Sequence, residues 1–519
     1  MSSGKDSATG QGKPVSSQKK FAGPARRKPA TAPAAQAPAQ AAAPRPVTAA
    51  RSIAFDILQR IAAGKGHCDE LLQERLVWPL SQEDRNLATA LVMGVLRWQI
   101  RLDALVQPLL KRPGQKLPEP VAIALRMGAF QLLYMDRIPA HAAISESVEL
   151  CRAAGQPHAT GMVNAVLRKI ALSPKASQSA AAETKPPQAA APTAQIAARF
   201  AHPLWLVERW VAAYGPANAA AICEADQTQP MPAFRDVPED ASFGDLQPGR
   251  LLSAARIGTL TTAQAEASEQ QRGQTCGLHS MDEGSQLVAE IAAFGVPAAG
   301  RILDCCAAPG GKTRVLAERN PASEVVAADA SKRRLDEMRR RLEADPRAGN
   351  IRFVRADAGV VVDASIAADA SEAPPAIAGS FDRILCDVPC SGTGTLARNP
   401  EIRHKLRPEN LPLFAARQRT ILQASMQRLA PGGRVVYSTC SLEPEENQAV
   451  VAACLASSPA GEFRLVDMAG VLAGLRDAGI VRPEAAEMLS QTALQEGCLR
   501  TLPGVHPCDG FFAAVIERA

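Results

Sequence analysis

Residues 301–313 read Arg301-Ile302-Leu303-Asp304-Cys305-Cys306-Ala307-Ala308-Pro309-Gly310-Gly311-Lys312-Thr313. A short β-rich run stops at Asp304, a Gly-rich turn follows, and Arg314–Arg319 reads as a helix. Such a turn lets the backbone approach a ligand closely and aims free helix-terminal amides at it. Two nucleotide readings compete. A phosphate-binding loop needs Gly six residues before Lys312, where this chain has Cys306, and the dinucleotide fingerprint Gly-x-Gly-x-x-Gly is absent. What remains is a loop for a ligand whose adenosine is held by acids; the bland alternative is a tight turn beside solvated acids.

Outward from this stretch, further β-rich runs alternate with helical ones: Glu324–Asp329, Ile351–Asp357, Asp382–Asp387, Arg434–Thr439 and Gly510–Glu517. That alternation predicts a mostly parallel, doubly wound α/β sheet of Rossmann-like type, with ligands at the carboxyl ends of its strands. Those ends are Asp304, Asp329, Asp357, Asp387 and Thr439-Cys440. Packing alone does not call for acids at four strand ends. Asp329 is placed to accept both ribose hydroxyls, and Asp357 to reach an adenine amino group. A cationic methyl donor without phosphates, S-adenosylmethionine, suits this cleft better than ATP.

The fourth strand leads into Asp387-Val388-Pro389-Cys390-Ser391-Gly392-Thr393-Gly394, the fifth into Tyr437-Ser438-Thr439-Cys440-Ser441 and then Glu443-Pro444-Glu445-Glu446-Asn447. Methylases of exocyclic amino groups usually place an aromatic after the proline; a thiol stands here instead. Two thiols at adjacent strand ends beside a methyl-donor loop point to attack on a ring carbon. Carbon 5 of cytosine becomes nucleophilic once a thiolate has added at carbon 6. The spacing does not rank Cys440 against Cys390. Metal binding is the rival use, with Cys386 and Cys390 at one strand end, Cys305 and Cys306 at another, and Cys498, His506 and Cys508 near the C-terminus, but no Cys-x-x-Cys pair occurs and no metal is expected. Cys386 and Cys305 read as core residues.

At 519 residues the chain exceeds one ordinary domain. It is 46% hydrophobic and 21% charged, with a mean hydropathy of −0.07, and neither wholesale disorder nor a membrane span is expected. Twelve cysteines are too sparse for a disulfide scaffold and suit a reducing cytoplasm. Residues 1–50 hold eight Lys/Arg against Asp6, so the net charge of +6 sits in this tail and the rest sums to −1. The tail reads as a disordered, weakly RNA-attracting arm; a transit peptide is the alternative. Residues 51–171 show helical periodicity, with Leu87, Leu91, Val95 and Leu96 on one face and Leu125, Ala129, Leu132 and Leu133 on another. Arg97, Arg101, Lys111, Arg112, Asn164, Arg168 and Lys169 are its exposed candidates, either for RNA or as a solvated face. Residues 172–195 read as an Ala/Pro-rich flexible linker, 196–280 as an intermediate α/β subdomain opened by a helix after His202-Pro203, and 281–519 as the catalytic domain.

Across residues 51–519 the sequence resembles the bacterial small-subunit (16S) ribosomal RNA cytosine-5 methyltransferases of the RsmB/Sun type. The resemblance rests on the 303–313 turn, Asp387–Gly394, Thr439–Asn447 and the closing Asp509-Gly510-Phe511-Phe512. The helical domain is similar to NusB through Gly94–Arg97, Arg137–Ala143 and Asn164–Arg168. Where the family often has Arg-x-Asn, this chain has Phe234-Arg235-Asp236-Val237. The resemblance implies that Cys306, Ala307, Ala308, Pro309, Gly310, Gly311 and Lys312 contact S-adenosylmethionine, with Asp329 on its ribose and Asp357 near its adenine. It further implies that Asp387 contacts both cofactor and cytosine, that Cys440 attacks carbon 6, and that Cys390 assists product release. The partner implied is small-subunit ribosomal RNA before full assembly, met by a monomer. The same chemistry on transfer RNA, or a non-catalytic RNA-binding protein, are the other readings.

Overall fold

Amphipathic helical segments build the N-terminal third. The computed structural model describes residues 47–76, 80–173, 191–235, 237, 245–260, 279–343, 345–359, 377 and 379–519. The basic tail to residue 46 and most of the expected linker (174–190) therefore lie outside the described residues. Six helices follow one another: α1 (Ala49–Ala62), α2 (Cys68–Leu76), α3 (Gln82–Val106), α4 (Glu119–Tyr134), α5 (Ala140–Ala153) and α6 (Thr160–Leu172). The α3 start is set by Ser81, whose hydroxyl accepts from Asp84 N at 3.1 Å, with Glu83 and Asp84 favouring the positive end of the helix dipole. Leu91, Val95, Leu125, Ala129 and Leu167 close a shared core with Ile57 and Leu58 of α1. Burying each large aliphatic side chain contributes roughly 1.5–3 kcal/mol.

Next come α7 (Pro192–Arg199), which starts inside the span read as linker, and α8 (Leu204–Ala225), kinked at Gly215-Pro216. A small antiparallel sheet follows, from β1 (Ala233–Arg235), β2 (Gln247–Pro248), β3 (Ala255–Ile257) and β4 (His279–Ser280), in the order β2-β3-β1-β4. Trp210 of α8 lies in one buried cluster with Leu396 and Leu442, so this segment is packed onto the catalytic half.

The catalytic half runs α9 (Glu283–Ala293), β5 (Arg301–Asp304), α10 (Gly311–Arg319), β6 (Glu324–Asp329), α11 (Lys332–Leu342), β7 (Ile351–Arg355), β8 (Phe381–Asp387), α12 (Ile402–Lys405), α13 (Leu411–Gln427), β9 (Leu429–Thr439), α14 (Gln448–Ser457), β10 (Phe463–Val466), α15 (Met468–Asp477), α16 (Pro483–Thr492), β11 (Leu494–Gln495), β12 (Cys498–Arg500) and β13 (Phe512–Arg518). Strand order is β11-β12-β13-β9-β8-β5-β6-β7, with β10 paired to β13. The β7-β6-β5-β8-β9 block is parallel. The sheet is thus the mostly parallel, doubly wound one expected. From β5 the chain winds one way to β6 and β7, then returns to lay β8 on the other side, which makes the β5/β8 boundary the switch point where a crevice opens. β13 is antiparallel to β9, so its beginning, not its end, reaches the crevice. Several boundaries differ from the sequence reading: β9 begins five residues earlier, at Leu429, β13 spans Phe512–Arg518, and two more bear on the site. β7 ends at Arg355 and leaves Asp357 beyond the strand, and α10 starts three residues earlier, at Gly311, where the turn amides feed directly into the helix. No helix among the described residues is long and apolar enough to cross a membrane.

Arg97 and Arg101, read as exposed, are buried. The reason is a contact 300 residues away: Arg97 Nη2 donates to Ala397 O at 2.6 Å, and His404 Nε2 meets Leu96 O at 2.7 Å. Cys68 N donates to the buried Glu401 Oε1 at 3.1 Å, and Lys405 Nζ to Gly66 O at 3.2 Å. The helical domain is therefore docked on residues 396–405 and does not hang from a free tether. Glu401 also faces His67 Nδ1 at 3.4 Å and, by hydrogen bonding first, raises that imidazole above its ordinary 6.5. A raised histidine contributes stability fully below about pH 6.5 and loses it as pH climbs through the folded value. Glu401→Ala strands the Cys68 amide and should cost about 1–3 kcal/mol. It should speed hydrogen exchange at residues 66–70 and flatten the pH dependence of the melting temperature between 6 and 8. An unchanged melting temperature would mean that apolar contacts alone hold α2.

Candidate active site

The turn after β5 is shaped by one residue without a side chain. Gly310 has φ +106°, and a Cβ there would lie 2.8 Å from Met338 Cγ, so α11 packs directly behind the turn. In front of it opens a cavity of about 470 Å³ lined by Cys306, Ala307, Ala308, Pro309, Gly310, Gly311, Lys312 and Asp387, all of them residues singled out from the sequence. Asp304 sits at its floor, where Thr313 Oγ1 donates to it at 2.6 Å and burial pushes its carboxyl up to about 7.

Asp329, Asp357, Cys390 and Cys440 are not among the residues lining this cavity. Asp329 stands behind the turn, buried, accepting from Ala308 N at 3.2 Å and Ser331 N at 2.8 Å. A carboxylate has about four acceptor positions, so these two bonds leave capacity for a ligand. Asp357 is exposed and caps its own loop by accepting from Gly359 N at 3.0 Å. Cys305 and Cys386 are core residues with sulfurs 3.3 Å apart. Among the described residues no three His, Cys, Asp or Glu side chains group as metal ligands.

The two remaining cysteines do meet. Cys390 Sγ and Cys440 Sγ are 3.4 Å apart and both half-buried. Their loops are tied by the buried Glu446, whose Oε1 accepts from Ser391 N (2.9 Å) and Gln418 Nε2 (2.8 Å), and whose Oε2 accepts from Ser441 Oγ (2.5 Å). Ser391 and Ser441 also share a 2.9 Å hydroxyl contact, and Asn447 Nδ2 donates to Ser441 O at 2.8 Å. Gly394 fits only because it lacks a side chain: a Cβ there would come within 2.2 Å of Gly510 O. The Cys440 hydrogen bond and burial hold the Cys390 thiol well above its usual range. Asp387 joins the two regions, accepting from Lys312 Nζ at 2.8 Å and Ser438 Oγ at 2.7 Å.

Sequence reading missed the opposite wall. Arg398 bridges Asp509 (2.7 Å) and Asp282 (3.2 Å), and all three line the cavity together with Met281 and Asp69 of the helical domain. Asp282 is the α9 cap, accepting from Gly284 N at 2.8 Å, and an Asp before a helix is the signal that could have flagged it. Asp509 belonged to the quoted closing motif without a role. Arg235 of Phe234-Arg235-Asp236-Val237 is fully buried, 2.7 Å from Glu290; Asp236 lies outside the described residues.

A ligand crevice at the switch point of this sheet, backed by such a turn, is the arrangement of the Rossmann-like methyltransferases. Residues 296–517 match the family of 16S rRNA methyltransferases RsmB/F, and residues 48–172 match the NusB family. The chain is 33% identical to ribosomal RNA small subunit methyltransferase B of Vibrio cholerae serotype O1 over 446 residues, 84% of this chain and 90% of that one. It is 30% identical over 488 residues to the probable ribosomal RNA small subunit methyltransferase B of Bacillus subtilis strain 168, covering 91% and 99%. The crystal structure of PH0851 shares the fold at TM-score 0.68 and 19% identity, covering 91% of this chain and 99% of that one. This chain belongs to the RsmB/F family of 16S rRNA methyltransferases.

Glu446→Ala would leave the buried Ser391 amide unpaired, at about 1–3 kcal/mol, and would take one of two partners from Gln418 Nε2 and from the Ser441 hydroxyl. The variant should melt well below the parent and lose methyl-transfer kcat more than KM, because the thiol loops drift apart. Glu446→Gln keeps one acceptor oxygen and should recover most of both. Equal activity in the Ala variant would show that the loops hold themselves.

Proposed function

We propose that this chain transfers a methyl group from S-adenosylmethionine to carbon 5 of a cytosine in small-subunit ribosomal RNA, through a cysteine adduct at carbon 6. The observation that carries the reading is the pair of thiols, 3.4 Å apart on neighbouring loops, beside a carboxylate that reaches back to the ligand turn. The cofactor side fits. The cavity is lined by the turn residues Cys306–Lys312 and by Asp69, Asp282, Asp304, Asp387 and Asp509, with Arg398 on Asp282 and Asp509 and Lys312 on Asp387, and its turn lacks the glycine pattern of a phosphate loop. Cys306–Lys312 would hold it; Asp329 and Asp357, which do not line the cavity, would meet its ribose and adenine only where the ligand reaches past the turn. When bound, it supplies an electrophilic methyl group.

The chain's own residues do the rest. A base flipped out of its stack enters the thiol site. Asp387 hydrogen-bonds the cytosine ring. The Cys440 thiolate forms a bond to carbon 6, and the ring electrons displaced make carbon 5 nucleophilic. After carbon 5 is methylated, its proton passes to water, the C–H electron pair re-forms the 5,6 double bond, and the sulfur–carbon 6 bond breaks with its pair returning to the Cys440 thiolate. Cys390, 3.4 Å from Cys440 Sγ, assists that release; the ranking of the two thiols follows the RsmB/Sun resemblance. Naked or partly assembled RNA is the substrate that presents such a base, and the docked helical domain offers a further RNA surface.

Cys440→Ala should abolish methylation while calorimetry still shows S-adenosylmethionine binding. Cys390→Ala should accumulate a protein–RNA species that survives denaturing gels. The opposite pattern, adduct from the Cys440 variant only, would exchange the two assignments.

Asp329→Ala should weaken S-adenosylmethionine binding roughly ten- to a hundredfold, since charge-assisted hydrogen bonds contribute about 1.5–3 kcal/mol each. Unchanged affinity would place the ribose on other groups.

A further inference from the structure

A dense run of positive charge lies outside the site. Residues 332–355 carry nine Lys/Arg against four Asp/Glu, in a chain whose residues beyond the N-terminal 50 sum to −1. Within α11 only Leu335, Met338 and Leu342 are buried, and that i, i+3, i+7 spacing turns Lys332, Arg333, Arg334, Arg339, Arg340 and Arg341 to solvent. Lys332–Asp336 and Arg333–Glu337 are exposed i,i+4 pairs, weak and screened by salt. Among the described residues no carboxylate comes within ion-pair range of Arg340, Arg341 or Arg355. Arg355 is exposed on β7, two residues from Phe353, whose ring lies 5.3 Å from the Arg339 guanidinium.

We propose that the outer face of α11, with Arg355 of the edge strand beside it, holds the phosphate backbone of the RNA substrate next to the methyl-donor cavity. The inference rests on the reading of the substrate as RNA. Three consecutive arginines repel one another, and a face meant only for solubility would intersperse the signs. Eight of the nine basic residues are Arg, whose planar fork matches phosphate oxygens. The face is also fixed relative to the chemistry: Arg334 donates to Ala308 O, and Met338 lies against Gly310. Phosphates bound there would run along the rim of the cavity without entering it.

The test compares the full chain with its Arg340→Gln/Arg341→Gln/Arg355→Gln variant on naked small-subunit ribosomal RNA across a range of salt. Each lost phosphate contact lowers the slope of log affinity against log salt by about 0.7 for single-stranded RNA. The variant should lose roughly two units of slope and bind tens-fold more weakly at 0.1 M salt, with kcat at saturating RNA and KM for S-adenosylmethionine unchanged. The matching triple Lys variant should keep the slope. If the parent neither binds nor methylates the RNA, the underlying reading falls. If the parent does both and the Gln variant keeps its slope, this inference falls alone. Unaltered RNA binding with lost affinity for polyglutamate would give the face to an acidic protein instead.

Discussion

One buried carboxylate fixes the chemistry of this molecule in space. Glu446 is fully enclosed and accepts from a backbone amide, a glutamine and a serine hydroxyl that come from three different elements. A charge out of water is tolerated only when its acceptor positions are filled, so the loop after β8, the loop after β9 and the side of α13 are drawn to the same point. Two sulfurs otherwise free to separate are thereby held in contact. Tyr437 adds a second tie, its hydroxyl donating to Glu446 O at 2.6 Å.

A second convergence closes the other wall. Arg398 gathers Asp282 from the start of α9 and Asp509 from the approach to β13, regions 227 residues apart in the chain. The antiparallel entry of β13 is what makes this possible, because it delivers Asp509-Gly510 at the crevice end of the sheet. Gly510 N donates to Gly394 O while Gly394 N donates to Cys440 O, each at 2.8 Å. The closing strand and both thiol loops thus share one hydrogen-bonded seam.

Much of this was legible in the chain. The β5–turn–α10 unit announces itself because its glycines, proline and apolar run are contiguous, and local signals suffice. The cysteines were legible as a pair, since each follows a strand of the same sheet, but not as a hierarchy, which spacing does not encode. Arg97 was misread because helical periodicity reports only a helix's own faces, and the carbonyl that claims it belongs to residue 397. Arg398 and Asp282 were missed for the same reason: their importance is a meeting across the fold. Asp357 shows the limit of reading strand ends, since two residues past β7 its carboxylate turns back on its own loop.

The docking of the helical domain bears on how the chain is made. During synthesis α1–α6 emerge first and can close their own core, which is built almost wholly from local neighbours. Until residues 396–405 have left the ribosome, the Cys68 amide and the Gly66 carbonyl lack the partners that Glu401 and Lys405 supply, and the Leu96 carbonyl, already in the α3 ladder, lacks its second contact from His404. The early domain offers a surface on which residues 396–405 of the later half can dock. A chain stalled between the two would hold a finished helical domain and no reaction centre.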